Sequence, residues 1–289
     1  MGGTEPVTDR GSGFPRGTPL RLRRVVRLGT LYVALALYQV FNAADALAFA
    51  YVANAGSGNV SVINTTTNVV TTAVAVGLTP EQVAITPNGL FAYVSNSGSN
   101  NVSVIRTDTN TVSATVPVGS GPAGVAITPN GLFAYVANFG STTVSVIATA
   151  TNVVVATVSV GSSPAGVAIT PNGLFAYVAN FGSDTVSVIA TATNTVVATV
   201  DVGNGPTGVA ITPNGAFAYV ANFISDIVSV IATASKSVVA TIPVGANPTG
   251  VAISATGFPT IPTLSEIGLI SLAAALAAGL ALRIIVRPA

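Results

Sequence analysis

Val125-Ala-Ile-Thr-Pro129-Asn130-Gly131-Leu-Phe133-Ala-Tyr135-Val-Ala-Asn138 reads as two short β-rich runs around a turn. Asn-Gly between such runs is a strong hairpin signal, because both residues tolerate the positive φ of a tight connection. The first two strands are therefore expected to be antiparallel neighbours. Working outward, a Phe-Gly-Ser loop leads to Val-Ser-Val-Ile. Ala148-Thr149-Ala150-Thr151-Asn152 then separates that run from Val-Val-Val-Ala-Thr-Val-Ser-Val-Gly161. Four short strands divided by turn chemistry make one unit. Phe-Ala-Tyr-Val begins at Phe49, Phe91, Phe133, Phe175 and Phe217, always 42 residues apart, and Val-Ala-Ile-Thr/Ser keeps the same spacing from Val83 to Val251. Tandem units of this length indicate a propeller, a solenoid or an array.

A parallel β-solenoid competes, since 42 residues divide into two coils of 21. The hairpin chemistry argues against it, and a four-stranded antiparallel meander at this period is the propeller pattern. Blade faces are covered on both sides, so runs such as Val196-Val197-Ala198-Thr199-Val200 need no polar alternation. The tyrosines at 51, 93, 135, 177 and 219 read as blade-to-blade packing residues. Each of the four strand types occurs five times, so twenty strands and a five-bladed, all-β propeller are expected. The chain enters at a second-strand equivalent, Phe49, and leaves at a first-strand equivalent, Val251 to Ser254. Pairing of these ends within one blade would close the ring and remove two open edges. Closure between identical chains is the alternative.

Half of the 289 residues are apolar, 7% are charged, and Cys, His and Trp are absent. That removes thiol nucleophiles, imidazole bases, the usual zinc ligands and disulfides together. No cofactor is expected. Within residues 49–254, Arg106 and Lys236 stand against Glu81, Asp108, Asp184, Asp201 and Asp226, a net charge of −3. Nucleic acid finds no basic footprint there.

Residues 1–48 form a leader. Arg21, Arg23, Arg24 and Arg27 precede a mostly apolar stretch from Leu28 to Phe41, then Ala44-Asp-Ala-Leu-Ala48. This has the three parts of a secretory signal, with cleavage after Ala46 or Ala48; an uncleaved anchor is the alternative. After the repeats (49–254) and a linker (255–260), residues 261–289 form a tail. Its twenty residues from Ile267 to Val286 suffice for a membrane helix if Arg283 snorkels to the interface. Arg283 and Arg287 then flank the membrane on the cytoplasmic side, with the repeats outside.

The repeats resemble the YVTN family of β-propeller repeats, on Tyr-Val-Ala-Asn, Val-Ser-Val-Ile, Thr-Asn-Thr-Val-Val-Ala-Thr and Gly-Val-Ala-Ile-Thr-Pro-Asn-Gly across residues 49–254. The resemblance implies a propeller found mainly in exported and cell-surface proteins, with no single activity. Ala148, Ala190 and Ala232 stand where the family commonly has an acid, and Asn replaces its Asp before the turn Gly. The tail is similar to the IPTL-CTERM sorting signal of Gram-negative bacteria, on Ile261, Pro262, Thr263, Leu264, Ser265, Glu266 and Gly268. Ile267 stands where that family usually has Trp. By resemblance, a sorting peptidase of the exosortase type recognises and cuts the tail, releasing a transiently anchored protein to the cell surface or extracellular matrix.

No catalytic constellation is legible, and no metal site is expected. Asp184 and Asp226 occupy equivalent positions beside Ser183 and Ser225, which suits either a cation or a solvated loop. Lactone-cleaving propellers rely on acid or His clusters that this chain lacks. The candidate surface is the loop carrying Phe139, Phe181 and Phe223 in three consecutive units. Exposed, these rings form an apolar patch for sugar rings or a partner protein; tucked between blades, they are packing. The reading is a non-catalytic adhesion, matrix or scaffold module binding surface polysaccharide or protein. An extracytoplasmic hydrolase and a passive surface-layer component are the alternatives.

Overall fold

The computed structural model describes residues 2–3 and 48–254. The leader's apolar stretch, the sorting motif and the expected tail helix lie outside the described residues. Among those described, every regular element is a strand.

The first sheet holds β1 (Phe49–Asn54), β2 (Asn59–Asn64) and β3 (Val69–Ala75). The second holds β4 (Pro80–Ile85), β5 (Phe91–Asn96), β6 (Asn101–Arg106) and β7 (Thr111–Pro117). The third holds β8 (Pro122–Ile127), β9 (Phe133–Asn138), β10 (Thr143–Ala148) and β11 (Val153–Ser159). The fourth holds β12 (Pro164–Ile169), β13 (Phe175–Asn180), β14 (Thr185–Ala190) and β15 (Thr195–Asp201). The fifth holds β16 (Pro206–Ile211), β17 (Phe217–Asn222), β18 (Ile227–Ala232) and β19 (Ser237–Pro243). Each of these four-stranded sheets is an antiparallel meander in chain order, as expected from the repeat.

Two units separate by internal contacts. The smaller includes Ala48, Phe49 and Asn64–Val69, where Ala48 O accepts from Thr65 N (3.0 Å) and Thr65 Oγ1 (2.8 Å). Asn64 Oδ1 accepts from Thr66 N there, at 2.9 Å. Among the described residues, the larger comprises Ala50–Ile63 and residues 70–254.

Within the larger unit, successive sheets stack face to face. Tyr135, Ala137, Val144, Val146 and Val158 of the third sheet meet Val167, Ala176, Val178 and Ile189 of the fourth. Side chains alternate faces along a strand, so Ala134, Val136 and Ile147 of the same third sheet point the other way, into Tyr93, Val102 and Val104 of the second. Both faces are buried in the second and third strands of these sheets, which explains their apolar runs. The fourth strands differ from expectation: Val153, Val155 and Val197 are exposed, and along Val196–Val200 only alternate residues are covered. Each fully buried Val or Ile contributes ~1.5–3 kcal/mol.

β4, β8, β12 and β16 lie side by side in chain order. Their backbones approach too closely for a side chain at one position. A Cβ on Gly124 would strike the Ala165 carbonyl, and one on Gly166 the Thr207 carbonyl.

The first hairpin differs from the tight connection expected with both Asn and Gly at positive φ. Thr128 N donates to Phe133 O at 2.9 Å, leaving four residues in the loop, and only Gly131 is left-handed (φ 72°). Asn130 acts through its side chain instead: Oδ1 accepts from Thr128 Oγ1 (2.7 Å) and Leu132 N (3.0 Å).

The structure also corrects the strand count. Nineteen strands form among the described residues, and Val251–Ser254 is not one of them. The expected pairing of this segment with the strand at Phe49 is therefore not formed among the described residues.

Candidate functional site

The phenylalanine loops join the second and third strands of the third, fourth and fifth sheets. Their backbones are held by the preceding inter-sheet connection. Phe139 N donates to Gly121 O (2.9 Å), Phe181 N to Ser163 O (3.0 Å) and Phe223 N to Gly205 O (2.9 Å). Beneath each loop a buried asparagine ends the second strand. Asn138 Nδ2 donates to Thr143 Oγ1 and Ser145 Oγ, both at 3.0 Å, and Asn180 and Asn222 likewise reach Ser187 and Ser229. The loops are thus presented from a rigid base, and their side chains are spared that task.

Phe139 is 42% exposed, while Phe181 and Phe223 are half-buried. The rings of Phe139 and Phe181 stand 5.9 Å apart at 50°, a tilted aromatic pair bridging two sheets. Phe223 does not join them. Ile224 does: a Cβ on Gly205 would lie 2.8 Å from Ile224 Cγ1 and 3.1 Å from Phe181 Cε2, so both side chains cover the same glycine. Ile224 is 57% exposed. The patch is Phe139, Phe181 and Ile224. Sequence reasoning missed Ile224, although the signal was present, since Ile stands where the two preceding units have Gly140 and Gly182.

The two repeated acids do not converge on a site. Asp184 and Asp226 adopt left-handed backbone (φ 57° and 55°), and each staples the next connection. Asp184 Oδ1 accepts from Gly205 N at 2.8 Å and Asp226 Oδ1 from Asn247 N at 2.7 Å. Asn100 Oδ1 makes the equivalent bond to Gly121 N at 2.8 Å, so a neutral amide serves as well as a carboxylate. Among the described residues, no three acids gather as metal ligands would.

A groove of about 360 Å³ between the third and fourth sheets is lined by Val160 and Val196 together with the hydroxyls of Ser159, Ser183, Thr185, Ser187 and Thr199. It offers hydroxyls and no titratable partner to activate one, so it supports hydrogen bonding and not nucleophilic attack. Of the five tyrosines, Tyr93, Tyr135 and Tyr177 are fully buried as expected of packing residues, while Tyr51 and Tyr219 are half-buried. Desolvation pushes the phenols of Tyr93 and Tyr135 up to about 12. Their hydroxyls donate across to the next sheet, to Asn152 Oδ1 (2.7 Å) and Asn194 Oδ1 (2.6 Å).

The sequence matches the family model described as Lactonase, 7-bladed beta-propeller, over residues 109–244. No curated protein matches the chain. Among solved structures, the hydrazine synthase of Kuenenia stuttgartiensis is similar with a TM-score of 0.54 at 21% identity, covering 70% of this chain and 85% of that one. A functionally unknown protein from Desulfotomaculum acetoxidans DSM 771 gives a TM-score of 0.65 at 21% identity, covering 71% and 69%. At such identities the likeness is one of fold, and together with the stacked antiparallel sheets it supports a β-propeller family.

Proposed function

We propose that this protein is an exported, non-catalytic binding module of five YVTN-type blades, sorted to the cell surface or extracellular matrix by its tail. The observation that carries the reading is the Phe139–Phe181 pair, 5.9 Å between centroids, continued by the exposed Ile224 on rigidly held loops. Apolar side chains held out on an asparagine-anchored frame suit the faces of sugar rings or an apolar protein surface, in keeping with an adhesion or scaffold role. Export rests on the leader's Arg-rich start and apolar stretch. Sorting rests on Ile261 to Gly268, where an exosortase-type peptidase is the expected partner, with Arg283 and Arg287 flanking the membrane before cutting.

The test is saturable binding of the labelled protein to the producing cells and to their isolated extracellular polysaccharide. The Phe139→Ala/Phe181→Ala/Ile224→Ala variant is run beside it. Loss of binding with an unchanged melting temperature supports the reading; equal binding by the variant refutes it.

The family match over residues 109–244 favours one other reading, an extracytoplasmic hydrolase of the lactonase-like type. It requires lactone turnover that falls when Asp184 or Asp226 is replaced. The backbone bonds made by both carboxylates weigh against it.

A further inference from the structure

Among the described residues the first sheet has three strands where the others have four, and one segment of the same chain has the form of the strand it lacks. Val52 in β1 is 44% exposed, whereas Val94, Val136, Val178 and Val220 at the same repeat position are fully buried. The neighbouring wall is open too: in β4, Glu81 and Gln82 are exposed and Ile85 is 41% exposed, while its counterparts Ile127, Ile169 and Ile211 are half-buried. A strand lying there would pair with β1 and stack on β4, as β8 pairs with β9 and stacks on β12.

Pro248–Ser254 is seated as a first strand but pairs with nothing among the described residues. Thr207 Oγ1 donates to Thr249 O at 3.0 Å, and Gly250 Cα lies 3.0 Å from where a Cβ on Gly208 would stand. Gly208 Cα stands in the same relation to Gly166, 3.4 Å from where its Cβ would be. The segment therefore sits on β16 as β16 sits on β12. Its outward edge carries the backbone groups that β17 satisfies for β16.

We propose that Pro248–Ser254 of one copy completes the β1 sheet of a second copy, giving head-to-tail assembly. The repeat fixes the register. Val209 pairs with Val220, Ala210 with Tyr219 and Ile211 with Ala218, so Val251 meets Val52, Ala252 meets Tyr51 and Ile253 meets Ala50. Each contact uses two different surfaces and is heterologous, so the assembly closes as a ring or extends as a filament. Like-charge repulsion does not oppose it, because Pro248–Ser254 carries no charged side chain to set against Glu81 of β4.

The absence of cysteine makes the test direct. Full-length Ala50→Cys and Ile253→Cys proteins, each with an unchanged melting temperature, are mixed in detergent and oxidised. A disulfide forms only between Cα atoms about 4.4–6.8 Å apart, so the mixed dimer should exceed that from Ser57→Cys with Ile253→Cys on the order of tenfold. Sedimentation should show concentration-dependent assembly, lost in Ala252→Pro, which removes the N–H facing Tyr51. Two outcomes overturn the proposal. One is a double variant, Ala50→Cys/Ile253→Cys, that cross-links only within its own chain. The other is mixed-dimer formation no greater than in the Ser57→Cys control.

Discussion

Replacing Lys236 with Asn should stabilise this protein, and the reason lies across a sheet interface. Tyr51, Tyr93 and Tyr135 each donate to an asparagine 59 residues later: Asn110 (2.8 Å), Asn152 (2.7 Å) and Asn194 (2.6 Å). The residue 59 beyond Tyr177 is Lys236, which offers no acceptor. Tyr177 is fully buried and its hydroxyl has no partner among the described residues. A buried donor left unmade costs ~1–3 kcal/mol. Lys236 also holds a left-handed backbone (φ 54°), a conformation that Asn tolerates better. Against this, the substitution gives up the ammonium 4.8 Å from the centre of the Phe175 ring, worth ~0.5–1 kcal/mol at an exposed site. The balance is a gain of about 1–2 kcal/mol, or roughly 2–8 °C in melting temperature for a domain of this size. Denaturant unfolding of a double-mutant cycle with Tyr177→Phe measures it. Tyr177→Phe should be neutral or stabilising in the parent protein, where Lys236 is present. In the Lys236→Asn background it should cost about 1 kcal/mol, as Tyr135→Phe should beside Asn194. Equal effects of Tyr177→Phe in both backgrounds would refute the reasoning.

Three further outcomes follow from the same geometry. Gly166→Ala should destabilise by about 1–3 kcal/mol in denaturant unfolding, because its methyl meets the Thr207 carbonyl and that backbone has no room to retreat. Stability should fall at alkaline pH: the unfolded phenols lose their protons near 10, while Tyr93 and Tyr135 hold theirs to about 12, so the unfolded chain binds fewer protons across that window. Unfolding free energies at pH 8, 10 and 11.5 should be flat over the first interval and decline over the second. Asp184→Asn should leave melting unchanged and Asp184→Ala should cost about 0.5–1.5 kcal/mol, since the Gly205 N–H needs an acceptor and not a charge.

Much of the fold was legible because the repeat states its hydrogen-bonding and its packing at every position. Gly131 marks the turn and Pro122 the start of a first strand, and Val125 to Tyr135 reads as a hairpin by itself. The turn's actual mechanism was not legible. Asn130 tolerates positive φ, yet its side chain is worth more as an acceptor for Thr128 and Leu132, a choice that depends on where a loop of four residues brings them. The candidate patch was half legible. The loop positions of Phe139 and Phe181 followed from periodicity, but Ile224 entered the patch only because Gly205, in a different connection, leaves space that both Ile224 and Phe181 cover.

The sequence alone determined the unit, the meander and the residues facing each way, because those follow from local turn chemistry and a side-chain period of two. It also bounded the chemistry, by containing no Cys and no His. Tertiary structure decided which hydroxyls find acceptors and which acids become loop staples. Those outcomes turn on distances between residues far apart in the chain, as for Asp184 and Gly205 or Tyr135 and Asn194, and such distances arise only when the sheets stack.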